Sequence, residues 1–529
     1  MCGTVWPGRH SRRQHCQRHR RVTHFGSAGR SSSSAVGCAL HCMTIMRLLG
    51  VVLVGSVLAG AGVVDDDRPA PEDRRFVSDA VEKAIHDIAG RMRDRVLARI
   101  FTNCLPNTLD TTVLDFNDDT PSTFVITGDI EAMWLRDSTN QVLPYTRFAR
   151  EDGRLRRMLC GVIQRQAEMV VADPYANAFN ANASGHGWSR DQRRPPMSGI
   201  VFEGKYELDS LAAVLKLANQ YYASTSDRTC FTLNDNRFLR AATTIVDTIT
   251  NEQSSTANNV DDATYLFQRE TTVATDTLML QGRGAPGKRT GMSKCYFRPS
   301  DDSNTFPFSI PSNAIACVEL RKLSALLLTV YGDNAEATRL ASRAVLLSGE
   351  IADAIDQHGT VQGQYYAYEV DGFGNYVFMD DANIPSLLSL PLLGFVTTQS
   401  ALYKATRARV LSPHNPYWFS GSAGAGVGGP HVGMGQIWPM GIIVQALTSD
   451  DDEEIAKCLQ TLRSTTAGTF FMHESFDKDD CHKFSRPWFS WANSLFGELI
   501  LRLADEKPHL IFATERLVNP KQDEYEARL

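Results

Sequence analysis

The sequence carries, at residues 127–145, the stretch Thr127-Gly-Asp-Ile-Glu-Ala-Met-Trp-Leu-Arg-Asp-Ser-Thr-Asn-Gln-Val-Leu-Pro-Tyr145. Trp134 and Arg136 stand there beside several carboxylates and amides, a mixture that solvated surfaces rarely gather. Sugar hydroxyls bind carboxylates, amides and guanidinium groups, while the C–H faces of sugars pack on aromatic rings. The stretch therefore indicates a carbohydrate site, and its second half continues into a predicted helix over residues 136–149.

Helix-length apolar patterns recur along the rest of the chain, separated by polar loops. They predict helices over residues 76–100, 136–149, 153–171, 207–224, 235–251, 312–331, 334–356, 384–394, 396–407, 434–448, 450–467 and 487–504. About a dozen helices with little strand alternation favour an all-α fold, an (α/α)6 barrel in which paired helices form a toroid with long polar and aromatic loops. No repeat of fixed period adds to this argument, so an irregular all-α domain is the alternative.

Local signals predict several helix ends and one small hairpin. Gly332 ends the helix that precedes it, and Asp333 is expected to cap the next helix. Ser449, followed by three acidic residues, predicts another helix start. Residues 364–369 and 375–379 alternate like strands on either side of Asp371-Gly372, which is typical of a turn.

The first 64 residues are predicted to direct the chain into the secretory pathway. Residues 1–47 are rich in Arg, His and Ser and predict a basic disordered extension, unless the true start is Met43 or Met46. Residues 48–64 are apolar or small and contain the cleavage-like pattern Ala59-Gly60-Ala61, which predicts a signal peptide, with an uncleaved signal-anchor as the alternative. Either segment would bring residues 65–529, predicted as one domain with its core at about 75–504, into the secretory pathway, as a secreted protein or anchored in the Golgi or ER lumen.

Charge and cysteine content narrow the function further. The formal net charge is −6 although residues 1–64 contain no acidic residue, so the body of the chain is acidic and is not expected to bind nucleic acid or anionic membrane. Asn182-Ala-Ser184 is a glycosylation sequon in a polar loop and predicts a glycoprotein. After Met43 the odd number of cysteines leaves at least one thiol unpaired; they are Cys104, Cys160, Cys230, Cys295, Cys317, Cys458 and Cys481.

Further dense clusters of polar and aromatic residues occur at 173–180, 202–210, 297–302, 471–476 and 484–491. Glycoside hydrolysis needs two carboxyl groups across the scissile bond, one protonated and one ionised. Adjacent Asp301 and Asp302 suit the acid, because one carboxylate beside another has a raised pKa. Glu474, flanked by His473 and by aromatic residues, suits the base. The structural alternatives are a helix cap or solvated turn for the Asp pair and a surface ion pair with Arg486 for Glu474.

Three other segments resemble known ligand-binding motifs but lack features that those motifs require. Gly424-Ala-Gly-Val-Gly-Gly429 has the spacing of a dinucleotide-binding loop but not the preceding strand, so it is interpreted as backbone close to a ligand, beside His431, Gln436 and Trp438. Asp115-Phe-Asn-Asp-Asp119 lacks the Gly and the Glu of a calcium loop. His473-Glu474 lacks the second His of a zinc helix. No metal site and no cofactor is predicted.

The clusters, in this order, closely resemble glycoside hydrolase family 125, whose members include fungal meiotically up-regulated proteins. The resemblance runs from about residue 75 to residue 504 and departs from the family at Lys294-Cys295, where apolar or aromatic residues are expected. It implies an (α/α)6 barrel and exo-acting, metal-independent hydrolysis of terminal α-1,6-linked mannose in mannose-containing glycans, with inversion. It also implies that the general acid is Asp301 or Asp302 and that the base is Glu474. The residues that it suggests for substrate binding are Trp134, Arg136, Asp137, Asp209, Arg298, His431, Trp438, His473, Arg486 and Trp488.

Two other functions compete with this one. Another carbohydrate enzyme of the same toroidal shape, a glucosidase or a sugar epimerase, would share the fold, although epimerases use His pairs and carboxylates outnumber His here. A glycan-binding protein without activity would keep Trp134 and Arg136 but would not need both Asp301 and Glu474.

Overall fold

Helices dominate the part of the chain that the computed structural model describes, residues 66–117, 119–256 and 263–513. Fifteen helices occur there: α1 Asp79–Arg91, α2 Arg95–Cys104, α3 Asn107–Thr111, α4 Leu135–Val142, α5 Gly153–Ala172, α6 Leu208–Thr225, α7 Thr229–Asn251, α8 Met279–Gly282, α9 Ile310–Tyr331, α10 Ala335–His358, α11 Leu390–Leu393, α12 Ala401–Val410, α13 Pro439–Leu447, α14 Asp452–Ser464 and α15 Ser490–Glu506.

The strands are short and antiparallel and lie in the connections between helices. They are β1 Val113–Asn117, β2 Ser122–Val125, β3 Met133–Trp134, β4 Ala178–Phe179, β5 Gln192–Arg194, β6 Val201–Glu203, β7 Leu266–Gln268, β8 Phe308–Ser309, β9 Thr360–Val361, β10 Tyr365–Tyr366, β11 Glu369–Val370, β12 Tyr376–Val377, β13 Trp418–Ser420, β14 Ala425–Val427, β15 Gln436–Ile437 and β16 Phe476–Asp477. They pair in sheets of two or three strands, such as β3–β4–β6 and β15–β16. These sheets tie the loops between helices to one another.

The burial of the helices separates them into two rings. Helices α4, α6, α9, α13 and α15 are buried on nearly every side, whereas α1, α10, α12 and α14 bury a single stripe. A helix that is apolar all round belongs to the interior, and an amphipathic one to the outside. Helix α6 packs against α4 and α9, α15 packs against α4 and α13, and α9 packs against α10 on its outer side. The predicted all-α (α/α)6 barrel is confirmed.

Capping side chains start the helices where the sequence has a short polar residue. The Asp152 carboxylate accepts from the backbone N–H groups of Arg154 and Leu155 at the start of α5. A helix does begin after Ser449 as predicted, but its cap is Asp451, two residues later, whose carboxylate accepts from the backbone N–H of Glu453. Gly332 ends α9 with φ 53°, but Asn334 and not Asp333 caps α10, so that part of the prediction is wrong.

Other predicted boundaries are also wrong, because contacts distant in sequence override the local pattern. The predicted helix 76–100 is two helices that turn at residues 92–94, where Arg93 N–H donates to the carbonyl of Ile511 (3.0 Å). The predicted helix 434–448 begins only at Pro439, because Gln436 and Ile437 pair with β16. Of the predicted helix 384–394 only α11 is helical. The predicted hairpin is present but shorter, with Glu369 opposite Val377.

The ring closes where α2 and α3 meet α15. The hydroxyl of Thr108 lies 2.7 Å from that of Ser490 and 3.0 Å from that of Ser494. The amide of Asn493 donates to Asn107 (2.9 Å). These buried hydrogen bonds join residues more than 380 positions apart in the sequence and hold α3 against α15.

One disulfide, Cys160–Cys230, joins α5 to α7 across 70 residues, and the other five cysteines within the described ranges are free. The described residues cluster as one compact unit, while the predicted domain bounds stay a prediction. The predicted extension and hydrophobic segment at residues 1–64 lie outside the described residues. Among the helices of the described ranges, none has the length and apolar character needed to cross a membrane.

Candidate active site

The site residues lie at the N-terminal ends of the inner helices. Trp134 precedes α4, Glu207 precedes α6, Trp438 precedes α13 and Phe489 precedes α15, each as the residue before the first helical one. Inner helices of a barrel of paired helices all run in one direction, so these ends converge on one face. The β3–β4 and β15–β16 pairings fix the backbone next to Trp134 and Trp438.

A small cavity of about 50 Å³ lies where these helix ends meet. Aromatic rings, carboxylates and cationic groups line it together: Ile130, Trp134, Arg136, Asp137, Asp301, Asn383, His431, Trp438, Glu474, Arg486, Phe489 and Trp491 are among its wall residues. It is called the inner pocket below. Eight of the residues singled out from the sequence meet there: Trp134, Arg136, Asp137, Asp301, His431, Trp438, Glu474 and Arg486.

Arg136 is the centre of the charge network. Its guanidinium pairs with Glu207, and lies 3.3 Å from an oxygen of Asp301 and 3.2 Å from one of Asp137. The Trp491 ring faces the guanidinium, with the centroid 5.6 Å from Cζ. Burial disfavours the charge, but these carboxylates outweigh it and raise the pKa of Arg136 well above its usual value. A buried cation is tolerated only with such partners, so Arg136 holds several acidic side chains in fixed positions.

Asp301 faces the inner pocket with its carboxylate held by two donors. Asn177 donates to it at 3.0 Å, beside the contact with Arg136, and Lys205 donates to its backbone carbonyl at 2.7 Å. Burial works to raise the pKa of Asp301, but the charges of Arg136 and Lys205 hold it well below its usual range. Its backbone has φ 66°, in the left-handed region. The loop thus turns this one carboxylate toward the pocket.

Asp302 points away from Asp301 and meets His431. His431 Nδ1 lies 3.6 Å from Asp302, and Ser300 donates to Asp302 at 2.9 Å. Burial opposes ionisation, but the contact with His431 lowers the pKa of Asp302. The expectation that adjacent carboxylates would raise each other's pKa is therefore wrong, because the two side chains diverge and each meets its own cation. Burial also works against the charge of His431, yet Asp302 raises its pKa to about 9.

The carboxyl group with the strongly raised pKa is Glu207, which the sequence analysis did not single out. It is fully buried beneath Asp301, and burial and the neighbouring Asp301 raise its pKa well above the usual range. Asn177 donates to both Glu207 (3.2 Å) and Asp301 (3.0 Å). Asp137, likewise buried, has its pKa raised by desolvation to about 6. The pKa of Asp301 in the pocket wall is therefore lowered, while the pKa values of Asp137 and of the underlying Glu207 are raised.

Glu474 lies on the wall formed by the loop before α15. Its side chain is 8% exposed, and Arg486 Nε approaches its carboxylate at 3.5 Å. Arg486 also contacts Asp129 at 3.2 Å. The ion pair with Arg486 exists as the structural alternative expected, but it lies in the pocket wall and not on an open surface.

Four of the predicted binding residues do not line the inner pocket. Asp209 is fully buried behind Arg136, 3.7 Å from its guanidinium. Arg298 braces the acidic loop by donating to the Ser303 carbonyl (2.7 Å). His473 stacks on Phe484, with the ring centroids 4.0 Å apart, and its Nδ1 lies 2.8 Å from the carbonyl of Arg486. Trp488 packs against the backbone of Gly128, and Trp491 reaches the pocket in its place.

The glycine-rich segment 424–429 approaches protein and not the pocket. A Cβ at Gly428 would lie 2.1 Å from the Gln436 carbonyl, and one at Gly426 would lie 2.8 Å from Ile437. The ligand-facing interpretation of these glycines is therefore corrected: they let β14 pack closely on β15. Within the described ranges, no three His, Cys, Asp or Glu side chains are grouped as a metal site would need.

Fold and site together define a class of enzyme. Several carboxyl groups gathered in a narrow pocket walled by tryptophans, on the loops of an (α/α)6 barrel, are typical of glycoside hydrolases. The chain belongs to one family among them, the metal-independent alpha-mannosidases GH125, whose sequence pattern matches residues 94–501. The resemblance stated from the motifs is confirmed.

Two relatives show how far the similarity extends. The chain is 46% identical over 462 residues to the meiotically up-regulated gene 157 protein of Schizosaccharomyces pombe, covering 84% of this chain and 89% of that protein. It is 37% identical, with a TM-score of 0.76, to a metal-independent alpha mannosidase of Streptococcus pneumoniae solved in a non-productive complex with alpha-1,6-mannobiose. That similarity covers 82% of this chain and 100% of the bacterial one.

Proposed function

We propose that the protein removes terminal α-1,6-linked mannose from the non-reducing end of glycans, with inversion. The observation that carries the proposal is that Asp301 and Glu474 line one narrow pocket with Arg136 between aromatic walls. The mannobiose bound by the bacterial relative supports the sugar and the linkage. A pocket of about 50 Å³ has room for one end of a chain, which favours exo action.

In this mechanism Asp301 is the general acid and Glu474 the general base. Asp301 gives its proton to the glycosidic oxygen as the C–O bond breaks, while Glu474 takes a proton from the water that attacks the anomeric carbon on the opposite face. Inversion needs about 6.5–9.5 Å between the two carboxyl groups, which leaves room for that water. Asp301 is preferred over Asp302 because Asp301 lines the inner pocket and Asp302 is engaged with His431.

The proton on Asp301 has a source in the buried pair that it forms with Glu207. The two carboxyl groups share Asn177 and Arg136 as neighbours, and Glu207 binds its proton well above the usual pKa range. Like-charged carboxyl groups in contact hold one proton between them. When sugar displaces water from Asp301, its ionised form loses hydration, and the shared proton moves toward the glycosidic oxygen.

The indole N–H groups around the pocket are available to sugar hydroxyls. Those of Trp134, Trp438 and Trp491 are buried and have no hydrogen-bond partner among the described residues. A buried donor without a partner costs free energy, which a ligand hydroxyl would recover. These three groups would fix the orientation of the terminal mannose.

The test is turnover of α-1,6-mannobiose by residues 66–529, with and without EDTA, with the released anomer followed by proton NMR. Release of β-mannose at the same rate in EDTA is the expected result. Release of α-mannose would contradict inversion. An inert, folded protein that also leaves α-1,2- and α-1,3-linked controls intact would favour the glycan-binding alternative.

We also propose that the protein acts in the secretory pathway. The buried Cys160–Cys230 disulfide supports an oxidising compartment, and Asn182 lies in an exposed loop that a glycosyltransferase could reach. Removal of N-glycans from protein made in its own cells should lower its apparent mass, and Asn182→Gln should abolish that change. An unglycosylated protein with both cysteines reduced would argue against this compartment.

A further inference from the structure

The inner pocket continues outward into two larger cavities. It shares Trp134, Asp301 and Arg486 with a neighbouring cavity of about 620 Å³. That cavity in turn shares Trp188 and Arg269 with a third one of about 780 Å³. We call these two cavities the outer groove. Their volumes lie in the range of about 300–1,000 Å³ that small-molecule sites occupy, well beyond what one terminal sugar in the inner pocket requires.

Trp188, in the wall of both outer cavities, is exposed and yet fixed. Its side chain is 48% exposed, the largest aromatic surface in the groove wall. The guanidinium of Arg269 lies 3.9 Å from the centroid of its ring. The backbone N–H of Trp188 donates to the backbone carbonyl of Phe202 at 3.0 Å. The preceding residue, Gly187, has φ 103° and passes so close to Phe202 that no Cβ would fit.

Arg269 is itself held rigidly by carboxylates. Its guanidinium donates to Asp191 at 2.9 and 2.6 Å and to Asp276 at 2.9 Å, and lies 2.9 Å from Glu203. A planar guanidinium fixed on this many sides positions the indole that stacks on it. The ring is thus held in place before any ligand arrives. Single exposed aromatics are common on proteins, and what distinguishes Trp188 is its support by a buried ion network at the wall of a cavity.

We propose that the outer groove binds the reducing-side mannose units of an α-linked oligomannose chain, with Trp188 as the platform on which one of them stacks. The proposal rests on the proposed function, because it takes the direction of the chain from exo cleavage in the inner pocket. The C–H face of a mannose packs on the free part of the indole, and the polar side chains of Gln192, Gln268 and Glu270 in the wall bind its hydroxyls. The substrate is therefore a chain of three or more mannoses.

Binding of the sugars that are distant from the scissile bond promotes cleavage when their binding energy is expressed in the transition state. Contacts with remote parts of a substrate offset the cost of orienting and distorting the reacting sugar, so shorter substrates lose kcat/KM. A disaccharide reaches only the inner pocket and the start of the groove. Longer chains are expected to be cleaved with higher kcat/KM until the outer groove is filled.

The experiment compares α-1,6-linked mannobiose, mannotriose and mannotetraose. We expect kcat/KM of the unmodified protein to rise about tenfold from mannobiose to mannotetraose. Trp188→Ala should lower that tetraose-to-biose ratio at least fivefold, and Trp188→Phe should keep part of it. Phe373→Ala, at another exposed aromatic (58% exposed) remote in sequence from the groove, is the matched control and should keep the ratio.

Two results would overturn the proposal: no dependence of kcat/KM on chain length, or an equal loss on mannobiose and mannotetraose in Trp188→Ala. Calorimetric titration of the Glu474→Gln variant with mannobiose and mannotetraose separates this failure from failure of the proposed function. If no substrate is cleaved but Trp188→Ala still weakens mannotetraose binding about tenfold in that background, the groove is a glycan site without the proposed activity. Equal tetraose binding with and without Trp188 removes the proposal in either case.

Discussion

At the scale of single residues, Arg136 explains why several carboxyl groups can share one pocket. Its guanidinium contacts Glu207, Asp301 and Asp137 and lowers the pKa of Asp301, whereas burial and the neighbouring Asp301 raise the pKa of Glu207. The motif around Arg136 was recognisable from the sequence because its residues are adjacent. Glu207 was not, because three carboxylates occur in the segment 202–210 and nothing local shows which of them lies under Asp301.

Substrates with different leaving groups distinguish the acid from the base. Asp301→Asn should lower kcat on mannobiose by about 10²–10⁴, the usual contribution of a general acid, and much less on an aryl α-mannoside whose leaving group needs no proton. Glu474→Gln should lower kcat on both substrates. The measurement is kcat on each substrate, with circular dichroism as the control for folding.

Asp302→Asn is the matched control for the acid. Its loss of kcat should not be smaller on the aryl mannoside than on mannobiose. If Asp302→Asn shows that smaller loss on the aryl mannoside and Asp301→Asn does not, then Asp302 is the acid and the assignment of Asp301 is wrong.

His431 should make the stability of the fold decrease as the pH becomes alkaline. Burial opposes its charge, but Asp302, and more weakly Asp301 and Glu474, raise its pKa to about 9 from an ordinary value of 6.5. Because the folded pKa lies above the unfolded one, protonated His431 stabilises the fold fully below about pH 6.5, and this stabilisation is lost as the pH rises through 9. The melting temperature should fall between pH 7 and pH 9.5, and the fall should be smaller in His431→Gln. His482→Gln, at an exposed His, should behave like the unmodified protein; identical slopes in all three proteins would contradict the prediction.

At the scale of elements, close crossings decide where glycine is needed inside a helix. Helix α5 passes β2 at Gly161, where a Cβ would lie 2.2 Å from Thr123 Oγ1 and 3.0 Å from two backbone atoms. Helix α10 contains Gly349, around which no atom lies within 4 Å of such a Cβ. The same residue type is therefore required in one helix and replaceable in the other.

The matched substitutions are Gly161→Ala and Gly349→Ala. Alanine is favoured over glycine in a helix by up to about 1 kcal/mol, so Gly349→Ala should raise the free energy of unfolding by about that amount. Gly161→Ala should lower it by about 1–3 kcal/mol, because the added methyl group overpacks the crossing. Denaturant unfolding measures the free energy of unfolding of both variants. Stabilisation by Gly161→Ala would contradict the prediction and show that β2 shifts to accommodate the methyl group at little cost.

Elements were predictable where their signals are local. Helices α5, α9 and α10 have caps and long apolar stripes, and the sequence predicts them closely. The break between α1 and α2 was missed although Gly90 and the capping Asp94 flank it, because the turn is fixed by the hydrogen bond from Arg93 to Ile511, far along the chain. Trp491 was not predicted as a pocket residue, because which indole faces the pocket depends on α15 beginning at Ser490 and not at residue 487, a difference that a pattern of apolar residues does not resolve.

At the scale of the whole molecule, the disulfide constrains a large part of the ring. It closes 70 residues between α5 and α7, a loop for which the chain-entropy model gives about 4 kcal/mol. The Cys160→Ser, Cys230→Ser double variant should lose stability of that order, and dithiothreitol should lower the melting temperature of the unmodified protein similarly. Cys481→Ser, at a free and partly exposed thiol, is the control and should melt normally. No change in the double variant would mean that packing of α5 on α7 alone fixes this part of the ring.

The all-α class followed from the sequence, because about a dozen helix-length patterns fill the chain; the count favoured paired rings over an irregular all-α domain, and the family resemblance implied them. The sequence did not reveal the outer groove. It is built by the segment around Trp188 and the segment around Arg269, about 80 positions apart, and neither carries a helix pattern or a recognisable motif.

The hydrogen bonds of Thr108 and Asn107 with α15 bear on how the protein is made. A ribosome delivers the chain from its N-terminus, so α3 leaves the exit tunnel nearly 400 residues before the partners that satisfy its buried hydroxyl and amide groups. Contacts between such distant positions form slowly. Until translation has passed α15, these polar groups of α3 therefore lack their native partners and stay hydrated. A truncated polypeptide that ends before Ser490 could not close the ring, and we expect the cell's quality-control machinery to degrade it.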